Sequence, residues 1–65
     1  MNPEKVAMLN YRIEVAVIGC RFFEEERRWP TDMEVEILRA ISKKTGGLSQ
    51  REKLTDIMKR FTIKR

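Results

Sequence analysis

Six lysines and arginines and two polar residues gather between residues 43 and 60: Lys43, Lys44, Ser49, Gln50, Arg51, Lys53, Lys59 and Arg60. Cations at this density neutralise phosphates, and serine, glutamine and arginine side chains reach base edges. The charge is segregated along the chain. Residues 1–42 carry six basic and eight acidic side chains, and residues 43–65 carry eight basic and two acidic. The net charge of +4 therefore resides entirely in the last third. Such asymmetry points to an end that faces a polyanion or an acidic partner. Lys64 and Arg65 would add to the backbone contacts.

Catalytic chemistry has little material. There is no histidine, so acid–base work near neutral pH lacks its usual carrier. Glu24, Glu25 and Glu26 are consecutive and diverge on a helix. Cys20 is the one thiol, and it lies in an apolar run with no base to activate it. One cysteine and no histidine cannot build a tetrahedral zinc site or an internal disulfide. Gly46-Gly47 lacks the spacing and the following Lys-Ser/Thr of a phosphate loop. The expectation is a protein that is not an enzyme, with no cofactor, no metal and no small-molecule substrate. With no signal peptide and no apolar stretch near 20 residues, a cytoplasmic, non-membrane setting is expected.

These side chains need helices to place them. Asn2-Pro3-Glu4 carries a cap, a first-turn proline and an acid for the positive end of the dipole. Nothing breaks the pattern until Pro30, so a long helix is expected over about 3–28. The alternation Leu9, Tyr11, Ile13, Val15, Val17 also fits a strand, but the helix accounts for a longer stretch. Ala7, Asn10, Glu14, Arg21, Glu25 and Arg28 form one polar stripe on it. Thr31-Asp32-Met33-Glu34 is a capping box that opens a second helix over about 32–45. Met33, Ile37, Ala40 and Ile41, with Leu38 beside them, should be its apolar face, and Gly46 or Gly47 its stop. Ser49-Gln50-Arg51-Glu52 reads as a second capping box and predicts a third helix over about 50–62. Leu54, Ile57, Met58 and Phe61 mark its inner face.

The fold expected is all-α: a single domain, residues 1–65, with a long N-terminal helix and a C-terminal helical hairpin. Residues 37–61 resemble a helix-turn-helix, with Ser49, Gln50, Arg51 and Lys53 at the start of the second helix. They depart from it by a turn about one residue too long, and by Lys53 where an apolar residue is usual.

The long helix has two apolar seams. Leu9, Ile13, Ala16, Cys20 and Phe23 form one; Met8, Tyr11, Val15, Ile18 and Phe22 form the other. The two short helices can cover one, and the other needs a partner, most simply the same helix of a second chain. A homodimer is therefore expected, with Met8, Tyr11, Val15, Ile18, Phe22 and Trp29 as the partner interface. Trp29 also fits a second role, folded back on the core. The leading function is a small nucleic-acid-binding regulator. The alternative is an adaptor or inhibitor that docks a helical apolar face on a larger protein.

Overall fold

A computed structural model describes residues 2–62 of the chain. Among these residues all regular structure is helical: α1 spans Pro3–Glu26, α2 spans Asp32–Thr45 and α3 spans Leu54–Thr62. The stretch from Leu9 to Val17 is helix, not strand. Lys64 and Arg65 lie outside the described residues.

α1 starts where its sequence signals place it. The Asn2 side-chain oxygen accepts the Glu4 amide at 2.8 Å, with Pro3 in the first turn. It ends two residues before the expected stop. Arg27 takes a left-handed conformation, φ 62°, and its amide donates to the Phe23 carbonyl at 2.7 Å. This turn sends the chain back along α1. Trp29 reaches Gly19, where a Cβ would lie 2.3 Å from the indole Cζ2. Glycine, unfavourable in a helix interior by roughly 1 kcal/mol, is there because the ring occupies the space of a side chain. Pro30, the next residue, is buried.

α2 opens with the Thr31 capping box. The Thr31 hydroxyl accepts the Glu34 amide, and the Glu34 carboxylate accepts the Thr31 amide at 2.8 Å. Gly46, with φ 80°, ends it. The buried face is Val35, Leu38 and Ile41, rotated from the expected one. Met33 and Ala40 point outward, and Ile37 is half-buried. The return of the chain along α1 explains the rotation. α2 begins beside the middle of α1, where Asp32, Val35 and Glu36 share a cleft with Tyr11 and Val15.

α3 begins at Leu54, four residues after the expected start. The Ser49 hydroxyl accepts the Arg51 amide at 3.1 Å, which makes a local turn and caps no helix. All three helices supply the core: Ile18 and Phe22 from α1, Leu38 and Ile41 from α2, Leu54 and Ile57 from α3. Leu48, Met58 and Phe61 pack against it. Phe22, Leu38, Leu54 and Ile57 have essentially no solvent contact, and burial of each side chain contributes about 1.5–3 kcal/mol.

Candidate interaction surfaces

Glu14, Arg21 and Glu25 of the polar stripe of α1 turn toward the rest of the chain, whereas Ala7 and Asn10 at its start are exposed. Arg21 donates from Nε to Glu25 Oε2 at 3.0 Å, and from Nη2 to the carbonyls of Ser49 and Glu52 at 2.5 Å each. Glu25 Oε1 accepts the Leu54 amide at 2.7 Å. The Thr55 hydroxyl, one residue on, donates to Glu26. The end of α1 thus holds residues 49–55 in place and caps α3. Higher up, Arg39 donates to Glu14 at 2.8 Å and to Glu36 at 3.1 Å, and lies over the Tyr11 ring. The Tyr11 hydroxyl donates to Glu36. These carboxylates, with Glu14 first, hold the Arg39 pKa above its ordinary value.

Arg28 makes the third polar contact. Its guanidinium pairs with Glu34 at 2.8 and 3.0 Å and stands over the Phe22 ring. The Arg28 hydrogen bonds, then the Thr31 amide, pull the Glu34 pKa down to about 2. The same pairing raises the Arg28 pKa.

With its polar stripe turned inward, α1 presents the opposite side to solvent. Of its 24 residues, only Ile18, Gly19 and Phe22 are buried. The outward side carries Leu9 at 59%, Ile13 at 51% and Val17 at 61% exposure, with Ala16, Cys20 and Phe23 also exposed. Ile13 and Val17 border an apolar cleft of about 250 Å³, closed on its far side by Leu48 and Gln50.

The residues expected at the partner interface fall in different environments. Ile18 and Phe22 lie in the chain's own core, and Val15 is half-buried. Tyr11 is engaged with Glu36 and Arg39. Met8 and Trp29 remain exposed, although the Trp29 indole packs against Gly19. The apolar seam left open is the other one: Leu9, Ile13, Ala16, Cys20 and Phe23. The polar stripe decides between them. Glu14, Arg21 and Glu25 sit beside Ile18 and Phe22 on the helix, so meeting their partners on α2 and residues 49–54 turns that seam inward.

The six cations Lys43, Lys44, Arg51, Lys53, Lys59 and Arg60 and the polar Ser49 and Gln50 are all exposed. They do not assemble as the helix-turn-helix pattern requires. Residues 46–53 separate α2 from α3, where that motif uses a turn of three or four residues. Ser49, Gln50, Arg51 and Lys53 lie in this connector instead of on the first turn of a recognition helix. Arg60 pairs with Glu52. Among the described residues, Lys43, Lys44, Arg51, Lys53 and Lys59 make no ion pair, whereas Arg21, Arg28 and Arg60 each make one and Arg39 makes two.

No group of histidine, cysteine, aspartate or glutamate side chains among the described residues could hold a metal ion. No described helix is long and apolar enough to cross a membrane. Comparison with protein-family models, with curated proteins and with solved structures gives no match.

Proposed function

We propose that this chain is a protein-interaction module, a cytoplasmic adaptor or inhibitor without catalysis of its own, that docks the outward side of α1 on a helical partner. One observation carries the reading. Leu9, Ile13 and Val17 each expose more than half of their surface on one side of a helix whose charged stripe is already consumed internally. Soluble chains seldom leave a contiguous aliphatic stripe in water, and an amphipathic helix offered this way is a recurring mode of recognition. The test is a photoreactive phenylalanine analogue at Val17 in cells expressing the chain. A discrete protein adduct that disappears with Ile13→Glu is expected. No protein adduct at all overturns the reading.

Lys43, Lys44, Arg51, Lys53 and Lys59, which make no ion pair among the described residues, favour a second reading, contact with a nucleic acid through the connector and the end of α2. Affinity for a labelled duplex or single strand would then fall steeply between about 50 and 200 mM salt. Arg51→Ala with Lys53→Ala would lower the salt slope by about two. Binding indifferent to salt would exclude it.

A further inference from the structure

The outward seam of α1 has a regular spacing. Val6, Leu9, Ile13, Ala16, Cys20 and Phe23 follow one another at intervals of three, four, three, four and three residues. This is the 3.5-residue repeat of a helix that packs lengthwise on another helix. All six lie within α1; Val6 is half-buried and the other five are exposed.

We infer that the occupant of this seam is α1 of a second copy, laid antiparallel; this rests on the docking reading above and names its partner. Side-chain size decides the direction. In an antiparallel pair centred between Glu14 and Val15, Val6 meets the second copy's Phe23, Leu9 meets its Cys20, and Ile13 meets its Ala16. Every layer then sets a larger residue against a smaller one, the arrangement that fills a helix interface without voids or overpacking. A parallel pair stacks Ala16 on Ala16, Cys20 on Cys20 and Phe23 on Phe23, leaving two thin layers beside an overfilled one.

Charge agrees with size. Lys5 and Arg12 flank one edge of the seam near its start, are exposed, and make no ion pair among the described residues. Glu26 lies on the same edge at the far end. Antiparallel pairing brings Lys5 beside the second copy's Glu26. It also sets Arg12 beside the second copy's Gly19, against which the half-exposed Trp29 indole packs. Parallel pairing instead crowds both copies of Lys5 and Arg12 at one end.

Sedimentation equilibrium and cysteine cross-linking test both parts on the full chain. The wild type should sediment as a dimer at micromolar concentration. Ile13→Glu should sediment as a monomer with unchanged helical circular dichroism, since Ile13 is outside the core. Ala16→Glu, also outside the core, should do the same. Antiparallel pairing puts the two Cys20 residues about 16 Å apart along the axis, beyond the roughly 7 Å span of a disulfide. Oxidised wild type should therefore stay uncross-linked, and Leu9→Cys should cross-link to Cys20 of the second copy. A monomeric wild type at about 100 μM overturns the second copy as occupant. Rapid Cys20–Cys20 cross-linking, with none between positions 9 and 20, overturns the antiparallel direction. A monomer that still gives a Val17 photo-adduct with a different protein removes this inference and leaves the docking reading standing. A monomer with no protein adduct removes both.

Discussion

The carboxylate of Glu25 accepts the backbone amide of Leu54 at 2.7 Å, so the N-terminus of α3 is capped by a side chain 29 residues earlier in the chain. A helix start exposes amides with no partner inside the helix, and an acceptor for one of them is worth roughly 0.5–2 kcal/mol. Lys53, the residue that precedes α3, has no side-chain acceptor to offer. Glu25 supplies it, and Arg21 orients Glu25 while tying down the two carbonyls of the connector.

Glu25→Ala should therefore destabilise the chain by about 1–2 kcal/mol, with the loss concentrated in α3. Urea unfolding gives the total, and the exchange rate of the Leu54 amide gives its location. Ser49→Ala, at the cap position suggested by the local pattern, should change stability by no more than about 0.5 kcal/mol. A larger loss from Ser49→Ala than from Glu25→Ala would mean that α3 starts earlier than Leu54.

Gly19 and Trp29 should be strongly coupled. Alanine improves a helix interior over glycine by roughly 1 kcal/mol. In wild type, however, the new Cβ would fall 2.3 Å from the indole, and the ring must leave. Gly19→Ala alone should be neutral or destabilising and should shift tryptophan emission to the red. In a Trp29→Ala background the same substitution should stabilise by about 1 kcal/mol. A double-mutant cycle that gives no coupling would place the indole elsewhere.

Arg27 is the one non-glycine residue with positive φ among those described. Left-handed backbone costs an ordinary L-residue roughly 1–2 kcal/mol, part of which glycine returns by its larger unfolded-state entropy. Arg27→Gly should raise stability by about 0.5 kcal/mol, seen as a rise of a few degrees in Tm. A fall in Tm would show that the guanidinium makes a contact of greater value.

Glu34 should dominate one window of acid unfolding. Its pKa falls from an ordinary 4.5 to about 2, first because of Arg28 and then because of the Thr31 amide. A carboxyl lowered in the folded state contributes stability that is complete above pH 4.5 and is lost as pH falls toward 2. Tm should decline across that window in wild type. In Glu34→Gln it should start lower at neutral pH and decline less between the same limits. Parallel profiles for the two proteins would refute the Arg28–Glu34 pairing.

The helical class, the opening of α1 at Asn2-Pro3, the Thr31 capping box and the glycine stop after α2 were legible in the residues themselves. Each depends on contacts within three or four positions, so local spacing specifies it. The inner face of α3 was equally legible, because Leu54, Ile57, Met58 and Phe61 recur at helical period whatever the helix start. Three features needed the folded chain. The start of α3 belongs to Glu25, a partner too distant in sequence for any local pattern to reveal. The apolar seam of α1 that faces inward depends on where Arg39 and residues 49–54 lie, since only they tell whether Glu14, Arg21 and Glu25 meet solvent or polar partners. Gly19, a poor helix residue when read alone, is explained only by the indole of Trp29 returning across it. Short-range hydrogen-bonding geometry thus determined the elements, and long-range polar contacts decided which of two apolar surfaces the chain buried and which it left open.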